Sequence, residues 1–445
     1  MDMTESQRFA PPPGQRIAVI GGGISGLATA WLLRNTHRVT LFEAADYVGG
    51  HTNTVEVALD GQRAPVDTGF LVFNRQTYPN LCALFERLGV ASVASEMSFS
   101  VSLQRPDLEW SGTSLAALFG QPRNALRPAF WRMVVDIMRF NREATALVAD
   151  RQSDHGSLGD YLDAHGYSDS FRHWYLLPMA AAIWSCPTRT MLGYPVRTFA
   201  QFCLNHGLLQ INDRPQWLTV RGGGKQYVAR MVADLDDVRI ATPVRRLIRA
   251  AGGVRIHTDI GSEDFDGVVL ACHSDQALDL LGARASRAET AILGAVRYQA
   301  NVAWLHTDAR LLPRRRAVWS AWNYAAGVAE AEAGHTPVAV SYLINKLQPL
   351  PFRQPVVVSL NPFDAPRDAH VIRRIEYAHP VFDQLAVEAQ GWLPALQGQQ
   401  RTWFAGAWQG YGFHEDGLRS AMDVATRLGA TIPWGSVAQP ALAAA

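Results

Sequence analysis

The stretch IAVIGGGISGLATAWLLRNTHRVTLFE, residues 17–43, constrains the fold more than any other part of the chain. Ile17-Ala18-Val19-Ile20 is short, uniformly apolar and rich in β-branched residues, the pattern of a strand buried on both faces. Gly21, Gly23 and Gly26 follow at once as G-x-G-x-x-G. Leu27 to Leu33 reads as a helix, and Arg38 to Phe42 as a second strand ending at Glu43. In such a unit the first glycine permits the tight turn, the second lets the backbone approach a pyrophosphate, and the third lets the helix pack closely on the strand. The helix N-terminus offers free N–H groups and a partial positive charge to the phosphates. An acid about 20 residues further on accepts hydrogen bonds from a ribose, and Glu43 stands in that place. A lone glycine triplet carries little. With the strand before it, the helix after it and the acid at this distance, it predicts a dinucleotide site.

Composition sets the frame around that unit. The chain has 445 residues, 48% of them hydrophobic, enough for two or three domains with large cores. A net charge of +1 gives no ground for a nucleic-acid partner. Only two of the 41 basic residues are lysines, Lys225 and Lys346, so few lysines are candidates for catalysis. Cys82, Cys186, Cys203 and Cys272 form no C-x-x-C pair and no zinc spacing, and no metal site is expected. They read as reduced thiols of a cytoplasmic protein. Residues 1–15 are polar and proline-rich and read as a loose leader. No run of about 18 apolar residues occurs, so no membrane span is expected, while contact with a membrane surface stays open.

Further along, Gly49-Gly50 reads as a turn onto the cofactor, and Thr54 to Leu59 with Asp60-Gly61 as a hairpin. Val66 to Phe70, containing Gly69, would return toward the site. Residues 78–218 turn helical and aromatic, and Met133, Ile137 and Phe140 read as core. Gly222-Gly223-Gly224 lacks the strand–helix–strand–acid context and is not taken as a second nucleotide site. Gly267 to Cys272 reads as a buried strand, followed by a helix with Ser274 as its cap. Strand patterns recur at 302–306, 338–342 and 356–360, and the segment 401–429 reads as strand, glycine-rich loop and helix.

These motifs carry a family resemblance. The glycine fingerprint with its acid, Gly49-Gly50, and the closing Ala405-Gly406-Ala407 and Gly417-Leu418 resemble the FAD-binding signature of flavin amine oxidases, protoporphyrinogen oxidases and phytoene desaturases. Within that superfamily, GGHTNTV, VDTGFLVFN, AAAIWSCP, VVLACHSDQAL and FAGAWQGYGFHEDGLRSA resemble bacterial NAD/FAD-binding oxidoreductases that often accompany cyclopropane-fatty-acid-synthase-like methyltransferases. Some of those relatives desaturate methylated fatty acyl chains.

The resemblance implies an α/β fold: a Rossmann-like FAD-binding domain from 16–77, 219–284 and 376–435, and an inserted substrate domain of helices and a mixed sheet from 78–218 and 285–375. Residues 436–445 would be a tail. It implies non-covalent FAD, with Gly21, Gly23 and Gly26 at the pyrophosphate and Glu43 at the AMP ribose. Gly49, Gly50 and His51 would lie toward the ribityl chain, where relatives often carry arginine at the His51 position. Gly69 is included with these cofactor residues. Val244 would serve the adenine, Gly406 and Ala407 the ribityl and second phosphate, and Gly417 and Leu418 the flavin N1–C2 carbonyl. Amine-oxidising members place a lysine near flavin N5, and VRYQANVAWLH, the corresponding strand, contains none.

Candidate acid–base residues are His414, Glu415 and Tyr411, with Asp416 and His273 beside them; Glu415 and Asp416 also read as helix caps. Trp184 and Trp408 are candidate walls of the flavin site. The expected activity is hydride removal from an apolar substrate, desaturating or isomerising a fatty acyl chain at a membrane surface, with a methyltransferase as a partner. Two alternatives stand beside it: an amine or polyene oxidase using oxygen, and a flavin-binding accessory subunit of a lipid-modifying complex.

Overall fold

Alternate side chains of β1 (Arg16–Ile20) enter different cores, Ile17 and Val19 one of them, Ala18 and Ile20 another. A strand with no solvent face has no use for polar residues, hence the uniform apolar run. The computed structural model describes residues 11–149, 156–210, 215–327 and 339–435; residues 1–10 of the expected leader and the expected tail 436–445 lie outside them. α1 (Ile24–Leu33) follows with all ten residues buried, and β2 (Arg38–Phe42) pairs in parallel with β1, Ile20 opposite Phe42. β3 (Asp237–Arg239), β4 (Gly267–Leu270) and β5 (Thr402–Phe404) complete a parallel sheet of order β3-β2-β1-β4-β5. β1 therefore stands at the switch point of a doubly wound sheet, where ligands bind beyond the C-terminal strand ends. α2 (His414–Arg427) packs against α1.

Smaller antiparallel units surround this sheet. Thr54–Leu59 and Gln62–Asp67 form the expected hairpin, with Asp60 and Gly61 at φ of +53° and +72°. Two positive φ values in a two-residue turn match the twist of the strands. The Gly222-Gly223-Gly224 turn docks on Asp67 rather than on a ligand: the Gly224 N–H donates to Oδ1 of buried Asp67 at 3.0 Å. The helix expected to be capped by Ser274 spans Ser274–Leu281 and is capped by His273, whose N–H donates to Gln276 Oε1 at 3.3 Å. Ser274 itself is buried, its hydroxyl 3.5 Å from the Val296 carbonyl, too deep to cap.

A seven-stranded sheet forms the second layer. Its order is Val371–Val381, Arg297–His306, Val357–Leu360, Ala339–Leu343, Trp322–Ala326, Phe99–Leu103, Leu108–Ser111. Val371–Val381 pairs with Arg297–His306 from end to end, so the expected boundary at 375/376 cuts through one continuous strand. Helix Pro79–Leu88 also departs from the expected division: Leu81, Leu84 and Phe85 enter the core of β1 and α1. The helices Pro128–Ala149, Leu177–Trp184 and Val196–Asn205 build a separate core. Met133 and Phe140 are fully buried in it and Ile137 packs against it, as their spacing predicts.

Candidate active site

The cavity begins where β1 turns into α1. Gly21 has φ of +106°, and a Cβ there would sit 2.7 Å from the Ala271 carbonyl oxygen. Only glycine takes that turn. The Gly22 N–H donates to Glu43 Oε2 at 2.7 Å, and the Ala45 N–H to Glu43 Oε1 at 2.8 Å. The carboxylate is thereby pinned at the end of β2 on the cavity wall. A Cβ at Gly23 would meet nothing within 4 Å, because this residue faces the cavity. Gly23 is also the N-cap of α1 and supplies no side-chain acceptor, so the first amides of that helix are left for a ligand. Gly50 crosses so close that its Cβ would lie 3.1 Å from the Gly23 α-carbon. Gly49, Gly50 and His51 line the same wall, as does Gly69, which packs beneath the His51 carbonyl.

The cavity has a volume of about 790 Å³. Val244 and Arg245 stand with Glu43 on its lining. Gly406 and Ala407 also line it; the Gly406 N–H is held by Ser420 Oγ at 2.9 Å. Tyr411 and His414 are on the lining with Trp184, Phe202, Trp322, Tyr342 and Phe413, and Trp408 is there as well. Phe202 lies 5.7 Å from Tyr411 and 5.2 Å from Phe413 between ring centroids.

Three expected residues fall elsewhere. α2 starts at His414, so Gly417 is one turn inside the helix and its N–H is already bonded to the Phe413 carbonyl at 3.0 Å. Its α-carbon is a packing point: a Cβ would be 2.8 Å from Ile24 Cγ2 and from Ser25 Oγ. Leu418 is fully buried in the core of β1 and α1. Glu415 points away from the cavity and caps helix Pro79–Leu88, accepting from the Asn80 N–H at 3.0 Å, Asn80 Nδ2 at 2.7 Å and the Leu81 N–H at 2.9 Å. Gly26 serves the packing half of its expected role and not the ligand half, since a Cβ would lie 1.8 Å from the Gly21 oxygen. Asp416 accepts from the Phe413 and Tyr411 N–H groups at 3.0 and 3.1 Å and is a cap.

Burial governs the electrostatics of the lining. Burial drives the His414 imidazole down to about 3, so it is neutral. Its Nε2 is 2.8 Å from Thr52 Oγ1, which also contacts the Tyr227 hydroxyl, and its ring stacks on Phe70 at 3.7 Å. Burial raises the Tyr411 phenol to about 12 and Cys272 to about 12. It lowers His379 to about 4, and lowers His51 and His273 too. His51 stacks on Tyr377 at 4.8 Å, and His273 on Tyr298 at 4.3 Å. Tyr377 and His379 escaped the sequence reading. They lie on Val371–Val381, whose arginines, glutamate and Pro380 disguise a strand. Neither lysine is on the cavity lining: Lys225 pairs with Glu56, and Lys346 with Glu96 at 2.9 Å. No metal-binding cluster occurs among the described residues, and no helix there is long and apolar enough to cross a membrane.

This lining fits FAD. It offers an uncapped helix N-terminus, open space where Gly23 lacks a side chain, and a pinned carboxylate. The buried His51 Nε2 has no hydrogen-bond partner among the described residues. A family model described as flavin containing amine oxidoreductase matches residues 24–316. Carotenoid phi-ring synthase of Streptomyces griseus is 27% identical over 328 residues, 67% of this chain and 59% of that protein. The chain therefore spans less than two thirds of that relative's length. Among solved structures, a CLA-producing fatty acid isomerase from P. acnes has a TM-score of 0.65 at 16% identity, covering 93% of this chain and 98% of that one. Cyclohexylamine oxidase from Brevibacterium oxydans IH-35A has a TM-score of 0.63 at 15% identity, covering 94% and 100%. These two likenesses carry the fold alone. With the family match laid over the glycine turn, α1 and the cavity they open on, the chain belongs to the flavin containing amine oxidoreductase family, and its cofactor is FAD.

Proposed function

We propose that this FAD-dependent oxidoreductase removes hydride from an apolar chain, in the first instance a fatty acyl chain, and either desaturates it or moves a double bond. The observation that carries the reading is the aromatic wall of Trp184, Phe202, Trp322, Tyr342 and Phe413, on a cavity that no lysine lines among the described residues. The likeness to a fatty acid isomerase is in keeping with it. The loop Gly21–Gly23 and the α1 terminus would hold the diphosphate, Glu43 a ribose, Val244 the adenine, and Gly406 and Ala407 the ribityl side. When bound, FAD supplies a hydride acceptor and, on return, a hydride donor.

The protein's own part is to exclude water, align the chain and control protons. The aromatic wall does the first two. At neutral pH the Tyr411 phenol keeps its proton and the His414 imidazole is a weak base, both because they are buried. Desaturation expels a proton along with the hydride and needs a base to take it. Isomerisation returns the hydride at another carbon and needs none. The neutral His414 imidazole and the protonated Tyr411 phenol are the groups on the lining that would accept or hold that proton.

The second reading, an oxidase of amines or polyenes using oxygen, draws on the Tyr411 and Phe413 rings flanking Phe202. Anaerobic mixing of the holoenzyme with unsaturated fatty acids and with primary amines separates the two. The expected result is a changed lipid and no bleaching by amines: either bleaching of the flavin with loss of two hydrogens from the lipid, or, if the hydride returns, a shifted double bond with unchanged hydrogen count and the flavin left oxidised. Bleaching by amines overturns the proposal, and neither bleaching nor a changed lipid favours the accessory-subunit role.

A further inference from the structure

Helix Pro128–Ala149 has two apolar stripes where a surface helix needs one. The inner stripe, Phe130, Met133, Phe140, Ala144 and Leu147, is buried in the core of the helical block. The opposite stripe is apolar as well: Trp131, Val135 and Met138, at spacings of four and three, are 47%, 59% and 54% exposed. Leu126, in the turn just before the helix, is 85% exposed. Trp131 binds this turn to the helix, its Nε1–H donating to the Ala125 carbonyl at 2.9 Å. Its ring lies 5.6 Å from Phe119, which joins the segment carrying Leu115, 78% exposed, to the same patch.

The charges in line with the outer stripe, at its two ends, are both positive. Arg127 and Arg142 lie one turn beyond either end of the outer stripe, and Arg132 beside it. Between Leu115 and Arg142 the chain has five arginines and a single acid, Asp136, which is 1% exposed and accepts from Ser168. Arg123 is engaged by Asp107, Arg132 lies 3.6 Å from Asp136, and Arg139 folds back over Tyr167 and pairs with Glu143 at 3.0 Å, so the charges that matter for a partner of this face are Arg127 and Arg142 at the two ends of the stripe. An apolar stripe with tryptophan, rimmed by arginines whose stems can reach outward, is the composition of a helix lying in a lipid interface.

We propose that the face bearing Leu126, Trp131, Val135 and Met138 docks on an anionic phospholipid bilayer. Charge complementarity favours this occupant over a second copy of the chain. A two-fold antiparallel contact through one stripe would set Arg127 of each copy against Arg142 of the other. The location also suits a substrate dissolved in lipid. Phe140 lies 6.3 Å from Phe199 on helix Val196–Asn205, whose Phe202 lines the cavity, so only the docking helix and this one stand between bilayer and cavity. The docking rests on the surface itself and holds whichever apolar molecule enters the cavity.

The test is flotation of the FAD-loaded full chain with vesicles of phosphatidylcholine and phosphatidylglycerol in equal parts, and with vesicles of phosphatidylcholine alone. Light scattering on the protein without vesicles gives its oligomeric state. Binding to the anionic vesicles is expected, reduced about tenfold or more in a Val135→Glu, Met138→Glu double variant that keeps its flavin spectrum and melting temperature. An Arg127→Gln, Arg142→Gln double variant should lose most of the preference for anionic over neutral vesicles. The proposal is overturned if the wild type floats with neither vesicle, or if the glutamate pair leaves flotation unchanged. It is equally overturned if the wild type is a dimer without vesicle affinity that the glutamate pair makes monomeric. Because no turnover is read, the outcome is distinguishable from failure of the acyl-chain reading.

Discussion

Glu43 works in two directions: its carboxylate accepts from the amides of Gly22 and Ala45 while it lines the cavity. Glu43→Ala leaves both donors without that acceptor and removes the proposed ribose partner. Affinity for FAD should fall by roughly ten- to hundredfold, since an unmade buried bond costs about 1–3 kcal/mol. Titration of the apoprotein with FAD at limiting cofactor measures this, and unchanged loading would displace Glu43 from the ribose. Glu415 is the opposite case. Its three bonds to Asn80 and Leu81 are structural, so Glu415→Ala should cost about 1–3 kcal/mol of stability and leave turnover per bound flavin near the wild-type value. A lost turnover with an unchanged melting temperature would restore Glu415 to the catalytic residues.

The decisive elements are α1 and α2, each held close by a glycine. At Gly26 an added Cβ meets backbone, the Gly21 oxygen at 1.8 Å. At Gly417 it meets the side-chain atoms of Ile24 and Ser25 at 2.8 Å, which have some freedom to move. Gly26→Ala should therefore be the more damaging, at about 3 kcal/mol or more with loss of bound FAD, and Gly417→Ala the milder, at about 1 kcal/mol with FAD retained. Thermal melts and flavin content of the two purified variants test the ranking. Equal loss of FAD in both would mean that Gly417 touches the cofactor after all.

At the scale of the molecule, burial makes stability depend on pH. His206, His306 and His379 are lowered to about 4 and His414 to about 3, all chiefly by burial. An unfolded chain takes up these protons near 6.5 while the folded chain refuses them, so stability falls as pH drops from about 6.5 toward 4. Asp67 and Asp416 oppose this: burial raises both to about 6, so between about 6 and 3.8 the folded chain binds protons that the unfolded chain does not. Four histidines outweigh two aspartates. The melting temperature of the holoenzyme should drop steadily from pH 7 to pH 5, and a flat or rising profile would contradict the burial of these imidazoles.

The strand–turn–helix–strand unit from Arg16 to Glu43 was legible in the sequence because its causes are local: a two-sided apolar run, a positive φ, a capless helix start and an acid at a set distance. The hairpin at Asp60-Gly61 and the inner stripe of Pro128–Ala149 were legible for the same reason. What only the tertiary structure decided is where distant residues meet. Glu415 reads as a cap of its own helix or as an acid until Asn80, 335 residues away, is seen to hold it as a cap of helix Pro79–Leu88. Gly417 reads as a flavin contact until α1 is seen packed on it. Tyr377 and His379 become a cavity wall only when their strand pairs with Arg297–His306. Periodicity and spacing act within a turn or a strand pair, whereas the side chains of a site are brought together by packing between elements far apart in the chain.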